Sequence, residues 1–143
     1  MTRLERLDHR FVDWIPADLE PGVLYITIEY ATAVHSCACG CGARVVTPFT
    51  PTDWELRFDG ETVSLSPSIG NWSFACQSHY WIRRNRIEWA PRWSAAQIGR
   101  NRELAHGARN ASVATPLASS DEEQATGRLV PLLKRLARVV RRA

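Results

Sequence analysis

Outside two short segments this chain has no cysteine, and nowhere does it have an apolar run near the ~20 residues that cross a bilayer. The first absence concentrates any soft-metal chemistry in two places. The second argues against a membrane-spanning helix. The opening residues, M-T-R-L-E-R-L-D-H-R, carry acids and lack the apolar core of a signal peptide, which predicts a cytoplasmic location. In that compartment thiols stay reduced, so clustered cysteines read as metal ligands before disulfides. No H-E-x-x-H or H-x-E…C-x-x-C pattern is present, so the sequence carries no signature of a familiar zinc hydrolase or deaminase. No internal repeat is visible.

What remains is a chain of 143 residues, room for one domain of roughly 100 residues with extensions. Hydrophobic content of 45% and charged content of 23% are those of an ordinary globular protein. Six tryptophans need a core or a groove to cover them. Charge is polarised: residues 1–61 hold five Arg against ten acids, and residues 62–143 hold thirteen Lys or Arg against five, so +3 is the sum of −5 and +8. The basic half could attract acidic partners, weakly.

Residues 1–21 read as a short amphipathic lead-in carrying Leu4, Leu7, Phe11, Val12 and Ile15, with Pro16 and Pro21 as breakers. V-L-Y-I-T-I-E-Y then reads as one strand running into the first cysteine segment, and A-R-V-V-T-P as the next. D-W-E-L-R-F alternates, with Trp54, Leu56 and Phe58 on one face. Asp59-Gly60 marks a hairpin whose return strand places Val63 and Leu65 inward. Y-W-I-R-R-N-R-I-E-W reads as a second hairpin turning near Asn85. The expected fold is mainly β: a small antiparallel β-sandwich or ribbon-like domain over 1–93 with two metal-binding loops. A helix and flexible linker follow over 94–120, then a basic amphipathic helix over 121–143 with Leu129, Leu132, Leu133, Leu136 and Val140 on one face. That last helix is expected to pack on its own domain or on a partner helix, with a membrane surface or nucleic acid as lesser alternatives.

The two cysteine segments carry the chemistry. H-S-C-A-C-G-C-G supplies His35, Cys37, Cys39 and Cys41, and C-Q-S-H supplies Cys76 and His79. Cys76-x-x-His79 is a chelating spacing, because a tight turn points both side chains at one ion. Ligands at every second residue would stand about 7 Å apart in an extended chain. Gly40 and Gly42 relieve this by accepting the positive φ that wraps backbone around a metal. Two of the three clustered thiolates with Cys76 and His79 would complete a Cys3His zinc tetrahedron. His35 and the spare cysteine would then be supporting or alternate groups. Zinc closing two loops of a small domain is the leading expectation. A Rieske-type [2Fe-2S] cluster is an alternative, since two Cys and two His are present, though in altered order. A catalytic zinc with an open position is another, with Ser78, Asn71, Glu29 or Asp53 as acid/base or orienting groups. The stretch Ser66–Trp72 is expected to form a wall beside the metal.

These segments also resemble a small bacterial domain family. The resemblance rests on G-V-L-Y-I-T-I-E-Y, H-S-C-A-C-G-C-G, W-E-L-R-F-D-G, S-L-S-P-S-I-G-N-W and C-Q-S-H-Y-W-I, in that order across residues 10–91. One departure is Ala75, where a proline often precedes the cysteine. The family's genes lie beside homologues of ubiquitin-activating and ubiquitin-conjugating enzymes. The resemblance implies that His35, Cys37, Cys39, Cys41, Cys76 and His79 are metal ligands and that partners belong to ubiquitin-like conjugation. It assigns no catalytic residue and does not reach the tail from Ser94. The expected function is a zinc-binding adaptor acting by protein–protein contact.

Overall fold

A computed structural model describes residues 2–114. Its elements are β1 (Asp8–Phe11), β2 (Val23–Thr27), β3 (Thr32–Ser36), β4 (Arg44–Pro48), β5 (Glu55–Phe58), β6 (Val63–Gly70), β7 (His79–Arg83), β8 (Arg86–Trp89) and α1 (Ala95–Ala114). The strands form two four-stranded sheets, ordered β1-β2-β3-β4 and β5-β6-β7-β8. Every pairing is antiparallel except β1 with β2, which run parallel. The mainly β expectation therefore holds.

The two sheets share one apolar core. Leu24, Ile26, Ala33 and Val45 come from the first sheet, and Val63, Leu65, Ile69, Tyr80, Ile82 and Ile87 from the second. All five residues of β2 are buried, and all but Leu24 are the β-branched and aromatic types that pack well in a covered strand. The lead-in ties the sheets together. Leu7 N–H donates to the Asn85 carbonyl, Ile87 N–H to the Glu5 carbonyl, and Leu4 N–H to the Ala38 carbonyl of the cysteine loop. Leu7 itself is buried in the core.

Both expected hairpins form. Asp59 closes the first by accepting from the N–H groups of Glu61 and Thr62. The second turns on Arg84 and Asn85, both with positive φ, the requirement of a tight primed turn. Asn85 is buried, and its Oδ1 accepts from Val63 N–H at 2.8 Å.

Three details differ from the sequence reading. V-L-Y-I-T-I-E-Y is not one strand: β2 ends at Thr27, the chain turns through Ile28–Ala31 with Ala31 at φ 45°, and β3 carries it back to the cysteine loop. No Gly, Pro or Asn marks that turn. The lead-in contains a strand, β1, too short for its alternation to register. And α1 runs on through Gly107 to Ala114, where composition suggested a linker. Its start is fixed by a reciprocal cap: Gln97 N–H donates to Ser94 Oγ and Ser94 N–H to Gln97 Oε1. Ile98 is its buried residue, and Arg109 bonds Asp53 on the β domain. The remainder of the expected linker and the helix expected over 121–143 lie outside the described residues.

Candidate active site and metal centre

The turn after β3 and the turn before β7 bring all four cysteines together. The sulfurs of Cys37, Cys39, Cys41 and Cys76 lie within 4.8 Å of one another. Cys37 Sγ is 3.4 Å from Cys39 Sγ and 3.9 Å from Cys76 Sγ, and none of the four is disulfide-bonded. A tetrahedron with Zn–S bonds of about 2.3 Å has S···S edges of about 3.8 Å, so the donor set fits one tetrahedral ion. The backbone is built for the purpose. Gly40 and Gly42 take φ of 87° and 79°, as the sequence required, and Cys37 N–H donates to the Ala43 carbonyl to close the loop. On the other side Gln77, at φ 44°, bends the chain between Cys76 and Ser78.

The electrostatics of the thiols follow from burial against hydrogen bonding. Burial pushes the Cys37 thiol up, and pushes that of Cys39 up to about 12. Burial also acts on Cys76, but there the hydroxyl and N–H of Ser78, with the neighbouring thiols, outweigh it and bring it down to about 7. Cys76 is thus the group readiest to present a thiolate. Ser78 Oγ lies 3.2 Å from Cys37 Sγ and 3.5 Å from Cys76 Sγ, and accepts from Asn71 Nδ2 at 2.8 Å.

The structure brings together the four cysteines and not the two histidines. His35 is fully buried, with Nε2 2.7 Å from the Tyr80 hydroxyl, and desolvation holds its pKa down to about 3. It is a neutral core imidazole. His79 follows Ser78 at the start of β7, and alternation along the strand turns it away from the sulfurs. Its Nε2 is 2.9 Å from Ser68 Oγ and its Nδ1 is 3.2 Å from the Pro91 carbonyl. A carbonyl only accepts, so Nδ1 carries the ring proton. The Nε2 lone pair is then free to receive the Ser68 O–H.

This serine–histidine pair sits under aromatic cover. Trp72 and Trp93 stack at 5.1 Å with 18° between planes, and His79 lies 4.9 Å from each and 5.6 Å from Trp81. Three of the six tryptophans thus surround the imidazole, which is 4% exposed. The chain admits Trp72 because residue 70 is glycine: a Cβ there would collide with the indole. Ser68 was not singled out in the sequence. No G-x-S-x-G or similar spacing marks it, and its partner lies eleven residues on, across the β6–β7 pair in which Gly70 faces His79. Of the other named groups, Asn71 and Ser78 border the cysteine cluster, Asp53 is engaged by Arg109, and Glu29 is exposed.

The fold and the four-thiol cluster define a small β domain equipped to hold a metal ion, with a serine–histidine pair on the strand pair beside it. Residues 11–90 match the model of a family described as bacterial ubiquitination-like system serine protease (BubE). The match spans more than half of the chain, and the chain belongs to that family. No curated protein and no solved structure matches it significantly. Among the described residues no helix is long and apolar enough to cross a membrane.

Proposed function

We propose that the chain is a serine peptidase of a bacterial ubiquitination-like system, with Ser68 as nucleophile and His79 as general base. The observation that carries this reading is the 2.9 Å contact between Ser68 Oγ and His79 Nε2, with Nδ1 held by the Pro91 carbonyl. The family's description as a serine protease supports it independently. Ser68 Oγ attacks the scissile carbonyl while His79 Nε2 takes its proton, and the imidazolium then gives that proton to the leaving amine. Water, deprotonated by the same nitrogen, hydrolyses the acyl-enzyme and restores Ser68. The Pro91 carbonyl does the orienting work that a carboxylate does in the Ser-His-Asp arrangement. The tryptophan cover keeps bulk water from the imidazole.

Zinc is the ion we assign to the cysteines, because a closed four-thiolate tetrahedron suits it and leaves no open position for substrate. Bound there, the ion supplies cross-linking of two loops. Ser78, which touches the sulfurs, is covalently next to His79, so the cluster anchors the strand that presents the base. The adaptor role expected from the sequence gives way here to a catalytic one, while protein partners of the conjugation system remain the proposed substrates.

A fluorophosphonate probe tests this directly. It should label the purified chain at Ser68, and Ser68→Ala should abolish labelling and lower peptide hydrolysis about 10⁴-fold or more while leaving the melting temperature unchanged. Labelling that persists in Ser68→Ala would refute the assignment.

A further inference from the structure

The second sheet is uneven beside the candidate nucleophile. β6 has eight residues and β5 four. β5 pairs with Val63–Ser66 and stops at Glu55, so Pro67, Ser68, Ile69 and Gly70 continue with no strand of the described residues on that edge. Where β5 stops, a groove of about 630 Å³ opens, lined by Ile28, Phe49, Trp54, Leu56 and Pro67. It reaches the residue preceding Ser68. One observation points to a ligand in it: Ile28 is a large aliphatic residue left 66% exposed at its wall.

We propose that an extended peptide docks here as a continuation of β5, alongside Pro67–Gly70. This inference rests on the peptidase reading and makes the peptide the substrate segment that Ser68 meets. Strand addition at an open edge supplies main-chain hydrogen bonds, while pockets for alternate side chains supply selectivity. One apolar side chain packs on Ile28, Phe49 and Trp54. Charge selects what lies two residues away. The charged residues lining the groove are both acids, Asp53 and Glu55. Asp53 on its wall already binds a guanidinium, that of Arg109. Glu55 faces the same groove with only a long, exposed 3.7 Å bridge to Arg57, which does little to neutralise it. The favoured segment is therefore apolar with a neighbouring arginine or lysine.

The test is fluorescence anisotropy on the full chain carrying Ser68→Ala, with a labelled octapeptide of alanine and serine that holds one leucine and one arginine two positions apart. It should bind about ten-fold tighter than the same peptide with serine for leucine. Ile28→Asp should erase that preference; thermal melting confirms that the variant is folded. Equal binding of the two peptides, or a preference that survives Ile28→Asp, overturns the groove. Fluorophosphonate labelling of the wild-type chain reads the underlying assignment separately. Labelling without peptide preference removes the groove and keeps the peptidase. Peptide preference without labelling removes the substrate role proposed for the groove, together with the peptidase.

Discussion

Two corners of this domain begin within one residue of each other and are built for opposite purposes. Ser78 points to four sulfurs packed within 4.8 Å, a set that can saturate a tetrahedral ion. His79 points to a single hydroxyl, with its other nitrogen tied to a backbone carbonyl. The cysteine corner is assembled largely from a turn whose conformation is locally encoded, at Gly40 and Gly42. The serine corner is assembled by strand pairing, across β6 and β7. The difference is one of tolerance: a metal site gathers its ligands by binding energy, whereas a nucleophile and base must already be in place.

The sharpest way to separate the corners is to remove the ion. Strong chelation, or Cys76→Ser, should unfold the domain, since structural zinc contributes apparent binding energies of about 10–16 kcal/mol in small zinc-dependent folds. Circular dichroism should show loss of the β signal, and metal analysis of the native chain should show one zinc atom. A chelated chain that keeps its melting transition would detach the cysteine corner from stability. Next in size is Gly70→Ala. Its Cβ would collide with the Trp72 indole, displacing it from Trp93 and His79. Fluorophosphonate labelling should slow by about 10²-fold, the scale of a misplacement near 1 Å, with the metal content unchanged. Unaltered labelling would show that the aromatic cover does not hold the imidazole.

The smallest effect belongs to the Asp59 turn, distant from both corners. Hydrogen bonds from the Thr62 hydroxyl and N–H, and from Glu61 N–H, lower its pKa from 3.8 to about 2. A depressed carboxyl stabilises the fold above its unfolded pKa, and that contribution disappears as pH falls through the folded value. Asp59→Ala should therefore lower the melting temperature slightly at neutral pH, and by progressively less as the pH falls toward 2. A difference of the same size at pH 7 and pH 2 would mean that the carboxylate charge is irrelevant to the turn.

The unevenness of legibility follows the same division. The hairpins at Asp59-Gly60 and Asn85 were readable because a turn depends on adjacent residues. The cysteines are readable because so many thiols and glycines packed into one short segment suit few purposes besides holding a metal. The spacing Cys76-x-x-His79 reads as a chelating pair, whereas the structure sets His79 beside Ser68. Spacing alone cannot tell which way successive side chains leave a strand. The turn at Ile28–Ala31 is illegible in the sequence because no turn-favouring residue type occupies it.

Local pattern and scarce chemistry suffice for the mainly β architecture, the two hairpins and a cysteine-rich metal site. Tertiary packing selects the rest: all four thiols gather with neither histidine among them, and Ser68 meets His79 while Ser78 meets the sulfurs. That choice is made by the register of β6 against β7, where a one-residue slip would exchange the faces.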